Sequence, residues 1–204
     1  MLLSLDFGIT ITDALRKKEA GTLVHEMFPS DQKPSEKLIK TLFKDLDFSK
    51  DIESIALTGG HHQLIGNEID KTPVFHVNEI EAIGEGGFYL SKLEPGIPAL
   101  IVNSGSGTAC ILAKDGEFLH CSGTGVGGGT VLGLSKLLLG TTSPQEIQEL
   151  AKKGSAEGTD LILKDVVSGP IGLLPSNTTA VNFGKISKTV EKVSKENGYT
   201  IIHP

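Results

Sequence analysis

Hydrophobic and polar positions alternate along the first part of the chain with the period of β-strands. Residues 2–6, 10–15 and 22–28 each fit a strand bounded by turn residues. Behind Pro34 and Ser35 the spacing changes to that of an amphipathic helix. The apolar positions of this helix are Leu38, Ile39, Leu42, Phe43 and Leu46. The pattern therefore predicts three strands followed by a helix.

Strands and helices continue to alternate through the middle of the chain. Three further strands are predicted at 52–60, 72–77 and 98–107, and a helix is predicted at 79–91. Asp115–Gly116 separates two apolar segments and is a strong hairpin signal. A helix then runs to about Leu139, where Gly140 fits its C-terminal stop. Two or three further helices are expected on either side of residues 174–186.

The order of elements contains two hairpins that turn at glycines, near residues 8 and 107. Each hairpin opens a run of strands and helices, as expected of two related lobes. This topology is typical of the actin-like ATPase (ribonuclease H-like) fold, an α/β architecture. We therefore expect an N-terminal lobe over residues 1–95 and a C-terminal lobe over residues 96–204.

Composition narrows the classes of partner. The chain has 204 residues and a formal net charge of −6, which argues against binding to nucleic acid or to an anionic membrane. No apolar run approaches the length of a membrane span, and Asp6 interrupts the apolar start too early for a signal peptide. Two cysteines, Cys110 and Cys121, do not form a disulfide framework. A cytoplasmic protein with a small-molecule partner is expected.

Glycine is concentrated in three loops that each follow a predicted strand. They read DFGIT at 6–10, NSGSGT at 103–108 and GTGVGGGT at 123–130. Glycines between a strand and a helix let backbone N–H groups converge on a phosphate. The alternative is a tight helix–sheet contact that needs small residues. A single loop would leave the two interpretations about even, but three in one chain favour nucleotide binding.

Two carboxylates are candidates for the chemistry of phosphoryl transfer. Asp6 ends the first strand, where a carboxylate suits Mg²⁺ held through water near phosphates, although it also fits a turn-capping role. Glu79 begins the helix after the strand at 72–77 and could serve as a general base. A glutamate favoured by the helix dipole is the simpler interpretation of Glu79 from the residues alone. His61 and His62 show no metal-ligand spacing and fit surface or hydrogen-bonded histidines.

The long segment at 98–140, together with NEIEAIGEGGFYL at 78–90 and LPSNTTAVNFGK at 174–185, resembles the type II (eukaryotic-like) pantothenate kinases. The resemblance runs from about residue 1 to 187. It implies an actin-like fold, a homodimer, and transfer of the γ-phosphate of ATP to the hydroxyl of pantothenate with Mg²⁺. It also implies a second lobe that is truncated relative to the family.

The resemblance assigns roles by position. Glu79 matches the family's catalytic base. The nucleotide-binding positions that it implies are Gly8, Thr10, Ser106, Gly127, Gly128, Gly129 and Thr130. Asp6 joins them as the candidate Mg²⁺ carboxylate at the end of the first strand. The substrate positions that it implies are His120, Gly123 and Thr124.

Three positions depart from the family's pattern. Ile9 stands where the first loop has a second glycine, and Asp13 stands where it has a lysine. His120 replaces the arginine that binds the pantothenate carboxylate, and Arg16 is the only arginine in the chain. Two alternatives stay open beside the kinase, the first because of these changes and the truncated second lobe, and the second because actin-like folds also support it. One is a non-catalytic protein that binds a nucleotide or an acyl-CoA, and the other is an actin-like ATPase that activates a partner enzyme.

Overall fold

A computed structural model describes residues 1–17, 21–45, 52–167 and 169–186 of the chain. The chain forms two compact units, Met1–Gly127 and Gly128–Pro204. The strands and helices predicted for the first unit are confirmed within the described residues. Leu46, the last predicted apolar position of the first helix, lies outside them.

The first unit opens with a six-stranded sheet. Its strands are β1 (Leu2–Phe7), β2 (Ile11–Lys17), β3 (Leu23–Pro29), β4 (Ser54–Gly59), β5 (Glu68–Ile69) and β6 (Thr72–His76). Their order across the sheet is β3-β2-β1-β4-β6-β5. The β1–β2 and β2–β3 pairs are antiparallel hairpins, while β4 lies parallel to both β1 and β6. Strands β1, β4 and β6 therefore end at the same edge.

The main core of the first unit lies between this sheet and helix α1 (Glu36–Asp45). Alternate residues of β1 and β4 face the core and are buried, as is Ile39 of α1. The buried strand residues are Leu3, Leu5, Phe7, Ile55 and Leu57. Because side chains alternate along a strand, Asp6 lies on the opposite face from its neighbours Leu5 and Phe7.

A second sheet of three strands follows helix α2 (Glu79–Ser91). Its strands are β7 (Ala99–Ser104), β8 (Thr108–Lys114) and β9 (Glu117–Thr124), joined as two antiparallel hairpins. The segment between His76 and Ala99, which contains α2, connects the last strand of the first sheet to the first strand of the second. The lobe boundary expected at residue 95 falls in this segment and stays a prediction.

Helix α2 packs on the second sheet through two glycines. A Cβ atom added to Gly84 would lie 2.6 Å from Cγ of Phe118, and one added to Gly87 would lie 2.5 Å from Cγ2 of Ile101. Both distances are far shorter than carbon atoms tolerate. The absent side chains therefore let the backbone of α2 approach the sheet closely, a contact that the spacing of apolar residues alone does not predict.

The second unit begins with two helices, α3 (Gly128–Leu139) and α4 (Pro144–Ala151). A short strand β10 (Leu161–Ile162), helix α5 (Leu163–Val166) and strand β11 (Thr179–Val181) follow. Strand β11 pairs with β10 and lies inside the segment expected to separate helices. None of the helices in the described part of the chain is long and apolar enough to cross a membrane.

Candidate functional site

Polar residues of the first unit gather where β1, β4 and β6 end. Asp6 is the second-last residue of β1 and lies in parallel register with Thr58 of β4. Gly59 ends β4, and His76 ends β6. In open α/β sheets the carboxyl ends of parallel strands form the crevice where ligands bind. We refer to this place as the carboxyl edge.

Helix α2 adds Glu79 to the carboxyl edge. The side chain of Asn78 caps the helix by accepting a hydrogen bond from the backbone N–H of Ile80 at 2.9 Å. This cap fixes Glu79 as the first residue of α2, with its side chain exposed. The position fits both expectations for Glu79, because it is favoured by the helix dipole and it also follows the end of β6 at the carboxyl edge.

Asp6 has an unusual electrostatic environment. Partial burial raises the pKa of its carboxyl group, and the negative charges of Glu79 and Asp13 raise that pKa further. The nearby His62 acts in the opposite direction and lowers it. The structure therefore brings Asp6, Glu79 and Asp13 within electrostatic range of one another, although they lie on three different elements.

The turn after β4 packs directly against Asp6. Gly59 has φ +82, and a Cβ atom at this residue would overlap Oδ1 of Asp6 and lie 2.7 Å from the backbone N of Phe7. The N–H of Gly60 donates to the carbonyl of Phe7 at 2.8 Å. Only glycine combines this conformation with so close an approach. The Gly59–Gly60 turn thus forms one wall around the Asp6 carboxylate.

His62 holds this turn from the other side. Its Nδ1 donates to the carbonyl of Gly59 at 2.7 Å, and its ring stacks on His76 with 5.3 Å between ring centres. The expectation of a hydrogen-bonded histidine is therefore confirmed for His62, whereas the side chain of His61 is exposed and makes no capping hydrogen bond.

The first two glycine loops meet in space. The hydroxyl groups of Thr10 and Ser106 are 3.1 Å apart and form a hydrogen bond across 96 positions of sequence. Within the second loop, the N–H of Gly105 donates to the carbonyl of Gly107 at 2.8 Å. Two of the residues predicted to contact nucleotide thus lie side by side. Gly8, close to Thr10, is also tight, since a Cβ there would lie 2.5 Å from the carbonyl oxygen of Ile11.

The third glycine segment packs on the second loop. A Cβ atom on Gly127 would lie 2.8 Å from the carbonyl oxygen of Ser106 and 2.9 Å from that of Gly105. The hydroxyl of Thr108 donates to the carbonyl of Val126 at 2.8 Å, which ties the two segments together. Gly127 is therefore required for close backbone packing, while a Cβ on Gly125 would meet nothing within 4 Å. The packing interpretation of the glycines thus applies at some positions and leaves others open to a ligand.

The predicted substrate residues lie on β9. His120 and Gly123 are neighbours, since a Cβ atom on Gly123 would lie 3.2 Å from Nε2 of His120. Gly123 pairs with Ala109, and Thr124 pairs with Thr108 at the loop end of the second sheet. The hydroxyl of Thr124 accepts a hydrogen bond from the N–H of Val126 at 3.2 Å.

The departures from the family pattern have clear positions. Ile9 points into solvent with 82% of its surface exposed. Asp13 accepts a hydrogen bond from Nε2 of His25 at 2.7 Å, so a neighbouring imidazole faces its carboxylate. Nη2 of Arg16 lies 3.6 Å from Oε2 of Glu26.

The remaining predicted nucleotide residues belong to the second unit. Gly128 and Gly129 are the first two residues of α3, and Thr130 is the third. A helix that starts with glycines exposes its first N–H groups to an anion. Their role toward a nucleotide stays a prediction.

The carboxyl edge fits a magnesium ion that arrives with a nucleotide. Within the described ranges no group of three or more His, Cys, Asp or Glu side chains is arranged as a metal cage. Mg²⁺ commonly uses one or two carboxylates, keeps several waters and completes its shell with phosphate oxygens. Asp6 fits this pattern as a single carboxylate, and a cation would relieve the repulsion from Glu79 and Asp13 that adds to partial burial in raising the pKa of Asp6.

Sequence reasoning misses two residues of this site, Gly59 and His62. It gives both only a local role, as the end of a strand and as a hydrogen-bonded histidine. The signal that could have found them is the position of TGGHH at the end of a buried strand, because a strand parallel to β1 would bring its carboxyl end to Asp6.

Comparison with known proteins gives a consistent family. The model of the Fumble family matches residues 16–201. A type II pantothenate kinase of Bacillus cereus is 32% identical over 192 residues, which are 93% of this chain and 67% of that protein. A type II pantothenate kinase of Bacillus anthracis is 32% identical over 141 residues, 68% of this chain and 51% of that protein.

Solved structures share the fold at lower identity. The (R)-2-hydroxyglutaryl-CoA dehydratase component A of Acidaminococcus fermentans has a TM-score of 0.59 and 14% identity, covering 99% of this chain and 73% of that one. The activator of the 2-hydroxyisocaproyl-CoA dehydratase from Clostridium difficile has a TM-score of 0.55 and 14% identity, covering 79% of this chain. This chain spans 59% of the activator's length. These likenesses show the fold alone and confirm the predicted actin-like α/β architecture.

Proposed function

The chain belongs to the Fumble family, which includes its type II pantothenate kinase relatives, and we propose that it transfers the γ-phosphate of ATP to the primary hydroxyl of pantothenate. This reaction is the first step of coenzyme A biosynthesis. The observation that carries the proposal is the position of Glu79, which begins α2 three residues after β6 ends, at the edge where β1, which carries Asp6, also ends. This position supports a scheme in which a candidate proton acceptor and a candidate metal carboxylate act in one site.

Glu79 acts as the general base in this proposal. Its exposed carboxylate accepts the proton of the substrate hydroxyl as that oxygen attacks phosphorus, a role that contributes typically about 10²–10⁴-fold in rate. The Asn78–Ile80 hydrogen bond caps the first turn of α2 and fixes the backbone that carries Glu79.

Asp6 would hold Mg²⁺, and the ion would supply positive charge that offsets the phosphates. The loops at 8–10 and 105–107 bind the phosphate groups through backbone N–H groups and the hydroxyls of Thr10 and Ser106. At the start of α3, the backbone N–H groups of Gly128 and Gly129 are a further anion-binding element.

The substrate acid is bound by β9. His120 takes the place of the family's arginine, with Gly123 and Thr124 beside it. A histidine hydrogen-bonds a carboxylate more weakly than an arginine and in a pH-dependent way. The proposal therefore includes pantothenate and similar hydroxy acids. Both cysteines are free, which supports a reducing cytoplasm, and the family resemblance supports a homodimer.

The test is ADP release from Mg·ATP with and without pantothenate. The wild-type chain is expected to release ADP in a pantothenate-dependent manner. In Glu79→Gln the rate of this release is expected to fall about 10²–10⁴-fold. Glu81→Gln is the matched control, because Glu81 lies in the same first turn of α2.

Equal turnover by the wild type and Glu79→Gln would refute the role of Glu79. Tight binding of ADP or an acyl-CoA without turnover would support the non-catalytic alternative. ADP release that needs a protein partner rather than pantothenate would support the activator ATPase.

A further inference from the structure

His62 is a buried imidazole next to the proposed site, with 8% of its surface exposed. It lies in a single 3₁₀ turn, His62–Leu64, directly after β4. Its Nδ1 is 2.7 Å from the carbonyl oxygen of Gly59. Since a carbonyl only accepts, Nδ1 carries the hydrogen, and this contact fixes the orientation of the ring.

The hydrogen bond of His62 ends on a residue that lies directly against the Asp6 carboxylate. The Cα of Gly59 faces Oδ1 of Asp6, with no room for a Cβ between them. The next residue, Gly60, donates to the carbonyl of Phe7 at 2.8 Å. A displacement of the Gly59 peptide would therefore change the space in which the Asp6 carboxylate can rotate.

The face of the ring is also supported. His62 stacks on His76 with 5.3 Å between ring centres and 30° between ring planes. His76 ends β6, and three residues later Glu79 begins α2. His62 is thus held between the ends of two strands, with its Nδ1–H directed at Gly59.

We propose that His62 is a positioning residue for Asp6. Its Nδ1–H holds the carbonyl of Gly59, and Gly59 in turn holds the Asp6 carboxylate in the orientation that receives a magnesium–nucleotide complex. This inference rests on the proposed function, because that function gives Asp6 its role toward Mg²⁺. His62 itself touches neither the substrate nor the metal in this scheme.

Three substitutions at position 62 separate the hydrogen bond from the bulk of the ring. His62→Asn places an amide N–H close to the position of Nδ1 and keeps the donor to Gly59. His62→Gln moves the amide one bond further along the side chain, beyond that position. His62→Leu fills similar volume without a donor. His61→Asn is the control, since His61 is adjacent and has φ +59, a conformation that asparagine tolerates.

The main readout is the Mg²⁺ concentration that gives half-maximal ADP binding, measured by calorimetry. His62→Leu and His62→Gln are expected to raise it about tenfold, the effect of losing one hydrogen bond in a buried site. His62→Asn is expected to stay within about threefold of the wild type, and His61→Asn is expected to match it. In turnover assays His62→Leu and His62→Gln are expected to have a lower kcat and a higher KM for Mg·ATP, with the KM for pantothenate unchanged.

Two results with the His62 variants would overturn the proposal. One is an unchanged Mg²⁺ dependence in His62→Gln, with only a lower melting temperature. The other is a His62→Asn protein as impaired as His62→Gln, because the donor would then not be the cause. If His62→Leu fails to fold, the comparison of Asn with Gln decides.

The same binding experiment separates this inference from the proposed function. A wild-type protein that binds Mg·ADP but phosphorylates neither pantothenate nor a related acid refutes the function and still tests His62. A wild-type protein that binds no Mg·ADP overturns both.

Discussion

The first hairpin, β1–β2, carries carboxylates near its turn, whereas the second hairpin, β7–β8, carries hydroxyl groups there. Asp6 and Asp13 face each other across the first hairpin. Ser104 and Thr108 face each other across the second. The two hairpins have the same antiparallel form and touch through the hydrogen bond between Thr10 and Ser106.

The difference between the hairpins is one of charge, with negative side chains in the first and neutral hydrogen-bond donors in the second. The first hairpin, next to the buried core of the six-stranded sheet, holds the charge that a cation requires. The second holds neutral donors and closely packed glycine backbone, which suit anionic oxygens. The carboxylates are thus confined to the first hairpin, whereas the turns of both hairpins, at residues 8–10 and 105–107, are proposed to bind phosphate.

The largest expected effect tests the packing of the second hairpin. Gly127→Ala places a Cβ atom within 2.9 Å of three backbone atoms of residues 105–107, none of which is a flexible side chain. We expect a loss of about 1–3 kcal/mol in the free energy of unfolding, as for other overpacked sites. Urea denaturation measures it.

Gly125→Ala is the matched control, two positions earlier in the same glycine segment, where an added Cβ meets nothing within 4 Å. An equal loss in both variants would show that backbone freedom, rather than close packing, explains the glycines.

The contact between the hairpins gives a smaller effect. Thr10→Val and Ser106→Ala each remove one hydroxyl of the 3.1 Å hydrogen bond. Because the pair is exposed, we expect a coupling free energy of about 0.5 kcal/mol in a double-mutant cycle on unfolding. Thr108→Val replaces Ser106→Ala in the control cycle, since the hydroxyl of Thr108 bonds to Val126 instead. A coupling of zero between Thr10 and Ser106 would contradict the contact.

The smallest expected effect concerns charge in the first hairpin. Asp13→Asn removes one of the negative charges that raise the pKa of Asp6, so that pKa should fall toward its ordinary value. A carboxyl group with a raised pKa in the folded state favours folding at low pH, and this contribution is lost as the pH rises from the unfolded pKa through the folded one. Between acidic and neutral pH, the free energy of unfolding of Asp13→Asn should therefore fall by less than that of the wild type.

An NMR titration of the Asp6 carboxyl carbon measures that change. Asp31→Asn is the control, because Asp31 is exposed and is absent from the charges that act on Asp6. A pKa of Asp6 that stays constant or rises in Asp13→Asn would show that Asp13 does not act on it.

Most of the fold of the first unit could be predicted from the sequence because its periodicity is local. Strands β1 to β3 alternate with period two, and α1 has a clear apolar face, so local spacing alone defines them. The short strands β5 and β10 have only two residues each and carry no such signal. The pairing of β10 with β11 depends on contacts distant in sequence.

The candidate site could be predicted in part for the same reason. Asp6 and Glu79 stand out because each lies at the end of a strand or the start of a helix. The contact of Gly59 with Asp6 requires the parallel pairing of β1 with β4, which no local pattern specifies. The support of His62 by His76 likewise depends on how β4 and β6 are paired.

The packing of α2 on the second sheet couples the evolution of two positions distant in sequence, Gly84 and Phe118. The ring of Phe118 occupies the space that a side chain at position 84 would need, so the two positions share a single volume. A descendant of this sequence that gains a methyl group on the helix must lose bulk on the sheet, or else the helix moves outward. Glu79 begins the same helix, little more than one turn before Gly84, and would move with it. As long as Phe118 and Gly84 are inherited together, the position of the Glu79 carboxylate is therefore preserved as well.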